Sequence, residues 1–224
     1  MMGSPSGESG RESDETQHKV YLTQDFYLGK FEVTQEQWQA VMGSNPSYFK
    51  GDKRPVEKVS YEDALKFCEW LNNNGRAPAG WKFTLPTEAQ WEYACRAGTT
   101  TPFSYCSRSD TSRMNFDGNY PYGGASTGTY RQSTVEVGSL GYRNAFGLYD
   151  MHGNVWEWCL DYYSSNFYRD GARDPLCTTG SSRVLRGGSW YSSAQYCRSA
   201  SRGSSPPALR SYGVGFRLAL VPVK

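Results

Sequence analysis

Three times within its first hundred residues the chain sets a hydroxyl residue three positions ahead of a polar one, follows with a single apolar helical face, and closes on glycine. In TQEQWQAVMG, Thr34 and Gln37 stand at capping-box spacing, Trp38, Val41 and Met42 share a face, and Gly43 stops the run. In SYEDALKFCEWLNNNG the same roles fall to Ser60 and Asp63, to Ala64, Phe67, Cys68 and Leu71, and to Gly75. In LPTEAQWEYACRAGT they fall to Thr87 and Gln90, to Trp91, Ala94 and Cys95, and to Gly98. From residue 99 onward no helical period continues, so the rest of the chain must form loops and short strands. Short, individually terminated helices cannot build a bundle. The core is expected to be filled by rings instead, since the chain holds 17 Tyr and 7 Trp with 24 Gly and 11 Pro. This predicts an α+β fold with few short helices and strands and much irregular loop, as one domain over residues 1–224.

Ahead of the first helix, HKVYLTQDFYLGKFEV places Val20, Leu22, Phe26, Leu28 and Phe31 as two short strands around a turn. The net charge is +2, with no basic block and no apolar run of about 18 residues, which argues against a nucleic-acid stripe and a membrane span. The opening MMGSPSGESGRESDETQHK is polar throughout and carries no secretory signal. The expected compartment is the cytoplasm as the chain stands, or the cell surface or exterior if an export segment was removed. The six cysteines, Cys68, Cys95, Cys106, Cys159, Cys177 and Cys197, are scattered without a CxxC pair, which disfavours a zinc site or a dense disulfide framework.

Three phrases then combine in order and spacing: LPTEAQWEYACRAGT, NAFGLYDMHGNVWEWCLDYY and RVLRGGSW…GFRLA. Together they resemble the formylglycine-generating-enzyme (sulfatase-modifying factor) superfamily, from MGSPSGE to Leu218. The resemblance implies an elaborated C-type-lectin-like fold, with a strand expected ahead of Met1. Enzymes of that family use two cysteines after the GGS turn, with copper between them, because soft thiolates capture Cu(I) and one must exchange with substrate. Here Ser192 stands where the first cysteine is expected, and only Cys197 remains. The resemblance also implies that Cys95 and Cys197 face each other as a structural pair, bonded or not according to compartment. A second branch uses mononuclear iron, whose facial triad needs two histidines and a carboxylate. This chain has only His18 and His152, in separate contexts. No catalytic residue is assigned, and an enzyme of the superfamily with an altered site, an oxidoreductase, is the alternative reading.

DMHGNVWE suits a harder metal. Calcium takes six to eight oxygens from carboxylates and carbonyls. Asp150 and Glu157 offer side-chain oxygens, and Gly153 and Val155 offer carbonyls between them, at positions that hold calcium in the resembled family. The same residues also suit a metal-free arrangement, with Asp150 capping a turn and Glu157 paired to an arginine.

The segment from Trp190 to Gly215 contains no Lys, Asp or Glu and alternates Tyr, Ser and Gly with Arg198, Arg202 and Arg210. Such a composition is that of a paratope: Tyr supplies wide amphipathic contact at small entropic cost, and Ser and Gly adapt their hydrogen bonding. The segment is similar to the variable region of diversity-generating-retroelement proteins, in which template adenines are randomised and an AAC codon becomes any codon ending in C. The resemblance implies a variable region at about residues 190–214. Its substituted positions would be Tyr191, Ser192, Ser193, Tyr196, Ser201, Gly203, Ser204, Ser205, Pro206, Ala208, Leu209, Ser211, Tyr212 and Gly213, all encodable by such codons. The expected role is non-catalytic binding of a protein or another exposed macromolecule, with the arginines as scaffold and Tyr191, Tyr196 and Tyr212 as anchors.

Overall fold

Each of the three helices starts at its expected cap. A computed structural model describes residues 1–223 and contains α1 (Gln35–Met42), α2 (Tyr61–Asn73) and α3 (Glu88–Arg96). The Oγ atoms of Thr34, Ser60 and Thr87 accept the amide N–H of Gln37, Asp63 and Gln90 at 3.3, 3.1 and 3.1 Å, and those three side chains return a bond to the cap amide. Each such cap stabilises its helix by about 1 kcal/mol. Gly43 ends α1 in the left-handed conformation, φ 75°. In α3 that conformation falls one residue earlier than expected, on Ala97 at φ 45°.

Nine short strands lie among the described residues: β1 (Val20–Tyr21), β2 (Tyr27–Leu28), β3 (Trp81–Thr84), β4 (Trp156–Tyr162), β5 (Ala172–Arg173), β6 (Arg183–Arg186), β7 (Gly203–Ser205), β8 (Val214–Gly215) and β9 (Ala219–Pro222). The two expected N-terminal strands exist, but they do not pair with each other. β1 runs parallel to β5, while β2 joins β9, which also pairs with β3. Their residues are satisfied by partners more than 150 positions away in the chain, a choice that local pattern does not record. The largest sheet has the order β7-β6-β4-β8, with β4 antiparallel to β6 and parallel to β8.

Rings fill the core. Trp38 stacks on Phe67 at 5.5 Å between centroids, Phe216 meets both edge-on, and Trp158 donates its indole N–H to the Val59 carbonyl. Trp91 anchors a second cluster with Ala94, Cys95 and Cys159, and Phe103, Phe116 and Cys197 belong to a third. Residues 99–155 contain no helix or named strand. Buried asparagines satisfy that irregular backbone instead: Asn144 donates to the Ala94 carbonyl and accepts from Phe146 and Leu148, and Asn154 accepts from Val135.

Candidate functional site

The segment that begins at Trp190 is anchored from beneath by buried guanidinium groups, because a planar fork of five donors can gather several carbonyls at once. Arg186, on β6 and fully buried, donates to the carbonyls of Ser199 (2.7 Å), Ala200 (2.9 Å) and Ser201 and pairs with Glu92. Arg198 grips Glu15 through both terminal nitrogens, at 2.8 and 2.7 Å, and also binds Glu8, the Gly10 carbonyl and the Gln195 carbonyl. Arg202 makes a two-pronged contact with Glu88, at 2.7 and 2.8 Å. Residues 8–15 thereby form a strap behind the segment. Burial alone would raise the Glu15 carboxyl, but the Arg198 guanidinium outweighs it and holds Glu15 below the usual carboxylate range. Arg210 differs, since it remains half-exposed and meets Asp63 at the surface.

Above this base the expected display positions separate into groups. Tyr191, Tyr196 and Tyr212 are exposed at 39, 39 and 49 %, and Ser204, Pro206 and Ala208 are exposed as well. Ser193, Gly203, Ser205, Leu209 and Ser211 are half-buried, and Leu209 packs on the main core. Ser192, Ser201 and Gly213 are buried and do not reach the surface. The Ser192 hydroxyl is bonded to Ser189, at 3.1 Å from its N–H and 2.9 Å from its Oγ, and the Ser201 carbonyl is held by Arg186. Spacing alone could not separate these from their exposed neighbours, because the segment follows no period.

The exposed positions also occupy two regions. Gly203–Ser205 form β7 on one edge of the four-stranded sheet, whereas Tyr212 leads into β8 on the other. Three strand spacings separate those edges, about 14 Å. On the β8 side the rings converge. Trp190, nearly buried, donates its indole N–H to the Tyr212 carbonyl and meets Tyr191 at 5.0 Å, Phe49 at 5.2 Å, Tyr212 at 5.7 Å and Tyr130 at 6.1 Å. Tyr48, 67 % exposed, approaches Tyr212 at 6.2 Å. Among the described residues Tyr196 makes no ring contact with this cluster. Tyr48, Phe49 and Tyr130 were missed by the sequence reading, although aromatic residues in the turn-rich NPSYFK loop are a usable signal.

Cys197 is fully buried, and burial pushes its thiol well above the ordinary range. The thiol of Cys95 is raised to about 12 by burial, and no disulfide joins it to Cys197. His152 touches both residues: its Nδ1 donates to the Cys197 carbonyl at 2.8 Å, and its Nε2 lies 3.8 Å from Cys95 Sγ and accepts from the Ser104 amide. Burial lowers this imidazole to about 4, so the ring is neutral and structural.

Around DMHGNVWE, Asp150, Glu157 and Glu32 are buried near the single guanidinium of Arg217. Glu157 Oε2 accepts from Trp91 Nε1 and Arg217 Nε, both at 2.6 Å, and Oε1 accepts Arg217 Nη2 at 2.6 Å. One lone pair on Oε1 is left over. Asp150 takes the Gly138 amide through Oδ2 alone, and Asn115 Oδ1 is buried without a partner. Both arrangements left open by the sequence therefore meet here, since Glu157 is paired with an arginine and Asp150 caps a turn, yet oxygen lone pairs remain. Burial, together with its acidic neighbours, pushes the Glu32 carboxyl well above the usual carboxylate range, and burial raises Asp150 to about 6, so the cluster sheds negative charge by holding protons; a hard cation would favour the ionised forms instead. Among the described residues no three His, Cys, Asp or Glu side chains converge as a metal cluster. Asp150 and Glu157 Oε1 are the side-chain oxygens of this stretch with acceptor capacity left over.

The family model for the sulfatase-modifying factor enzyme 1-like domain matches residues 1–221. The chain is 33 % identical over 211 residues to a protein of Paenibacillus barcinonensis named chaperone protein LppX, covering 75 % of this chain and 70 % of that one. It is 34 % identical to the formylglycine-generating enzyme of Streptomyces coelicolor, covering 81 % of this chain but only 57 % of the enzyme. Among solved structures, Treponema denticola variable protein 1 superposes with a TM-score of 0.82 at 31 % identity, covering 99 % of this chain and 92 % of that one. PvdO from Pseudomonas aeruginosa also gives 0.82, at 28 % identity, covering 98 % and 90 %.

Proposed function

The chain belongs to the sulfatase-modifying factor enzyme 1-like domain family, and on that premise we propose that it is a non-catalytic binding protein displaying residues 190–214 as a diversified recognition surface on a C-type-lectin-like scaffold. One observation carries this reading. Within a single segment, side chains buried in the scaffold (Trp190, Arg198 and Arg202) alternate with exposed Tyr, Ser, Pro and Ala, and the exposed Tyr191 and Tyr212 pack against the fixed Trp190. A rigid base carrying adaptable contacts is what recognition of varied partners requires. The likeness to the Treponema protein, named a variable protein, supports the same reading. The buried, raised thiol of Cys197 and the serine at position 192 speak against the oxidoreductase alternative. The partner is a protein or other exposed macromolecule that meets Tyr191, Tyr212 and Tyr48 as anchors.

The neighbouring DNA tests the proposal. A reverse-transcriptase gene and a near-copy of codons 190–217, with AAC at the exposed positions, are expected. A locus lacking both would remove the diversification and return the chain to the family's members of unassigned role. Calcium at Asp150, Gly153, Val155 and Glu157 is a second proposal, with a structural role, because ligands buried beneath Trp91 offer a substrate no open coordination.

A further inference from the structure

We infer that Tyr191 and Gly213 act as one specificity unit, in which the buried residue at 213 decides where the exposed side chain at 191 stands. The inference rests on reading 190–214 as a recognition surface and specifies how two of its positions work together. Gly213 is buried, and its backbone lies outside the left-handed region, so its conformation suits any L-residue. The restriction comes from its neighbour. A Cβ at 213 would lie 2.2 Å from Tyr191 Cε1, 3.0 Å from Cζ and 3.1 Å from Oη.

Of the two sides of this contact, only Tyr191 can yield. The Gly213 carbonyl accepts the Trp156 amide at 2.8 Å, its amide donates to Ser211 Oγ at 3.3 Å, and the preceding Tyr212 carbonyl accepts the Trp190 indole at 3.1 Å. The main chain is thus held to the sheet on one side and to a nearly buried tryptophan on the other. Tyr191 is 39 % exposed, and its ring can swing to another staggered rotamer. Even a methyl group at 213 therefore turns the Tyr191 ring out of its edge-on contacts with Trp190 at 5.0 Å and Tyr212 at 5.7 Å. A position that no partner can touch rearranges the anchor that a partner does touch. Conversely, a small residue at 191 vacates the space and releases 213 from glycine.

A four-member cycle tests this: the parent chain, G213A, Y191S and the double variant, each melted under one condition, with 19F NMR of 3-fluorotyrosine-labelled G213A assigned at Tyr191. G213A is expected to lower Tm by about 2–4 °C, to shift the Tyr191 resonance, and to cost little in the Y191S background. If G213A fails to fold, a folded G213A/Y191S double variant still shows the coupling. Additive Tm changes, or an unmoved Tyr191 resonance in folded G213A, would overturn it. Neither readout involves a ligand, so failure here is distinct from failure of the recognition proposal, which the template copy in the DNA decides.

Discussion

Replacing Arg198 by methionine removes the cation paired with the buried carboxylates of Glu8 and Glu15. The side chains of Arg198, Glu8 and Glu15 are 1, 5 and 0 % exposed, and Arg198 contacts the two carboxylates at 2.6 to 2.8 Å. The Gly10 and Gln195 carbonyls lose their donor at the same time. Removing one partner of a buried ion pair costs about 3–5 kcal/mol, because the remaining charge stays desolvated. For a chain of this size each kcal/mol lowers Tm by about 2–4 °C, so R198M should melt roughly 6–20 °C below the parent at pH 7. Acid should narrow that gap. In the parent, Glu15 is held below its ordinary value, so its contribution is present at neutral pH and is lost as pH falls through the depressed folded value. In R198M burial is opposed only by the hydrogen bonds from Ser4 and the Glu12 amide, so Glu15 takes up a proton more readily than in the parent and the penalty shrinks as pH falls. Thermal denaturation followed by circular dichroism at pH 7, 5.5 and 4 reads both effects. A variant within 2 °C of the parent at pH 7, or a gap independent of pH, would refute the view that this strap is held by buried charge. The same loss should loosen residues 195–201, which hydrogen exchange would show as reduced protection.

Other consequences are equally direct. Asp161, buried and accepting the Glu88 and Cys177 amides, is raised to about 7 by burial, with Glu88 adding to it. Its folded state holds a proton that the unfolded chain releases near pH 4, so its part of the stability is lost as pH climbs from about 4 to about 7. Tm against pH should therefore slope less steeply downward over that window in D161N, and an unchanged slope would contradict the assignment. Chelation with EGTA should lower Tm by roughly 5–11 °C from a state with calcium a hundredfold above its Kd, and D150A should abolish the response; a parent chain indifferent to EGTA would remove calcium from the proposal. At Gly188, φ is +76° and a Cβ would lie 2.4 Å from the buried Cys197 sulfur. G188A should accordingly cost about 1–3 kcal/mol, and a denaturant midpoint equal to the parent's would show that the turn relaxes freely.

Local signals were legible wherever the controlling interactions span a few residues. The caps at Thr34, Ser60 and Thr87 act within one turn, so their chemistry could be read directly from TQEQ, SYED and TEAQ. The family phrases were legible for a similar reason, since each is a contiguous run in which Trp91, Glu157 or Arg186 must be a particular residue. Composition marked Arg198 and Arg202 as anchored, but it did not separate the buried Ser192, Ser201 and Gly213 from their exposed neighbours.

The sequence by itself thus determined the helices, the ring-filled α+β core and the bounds of the segment proposed to carry recognition. Only the tertiary structure decided which residues of that segment reach solvent, that Tyr48, Phe49 and Tyr130 join Trp190 from distant loops, and that β1 and β2 part company to pair with strands far along the chain. The physical reason is range. Capping and periodicity are settled within about four residues, whereas burial of Ser192 and Ser201, and the contact between Tyr191 and Gly213, depend on chain segments brought together by a core and a set of buried arginines whose partners lie far away in sequence.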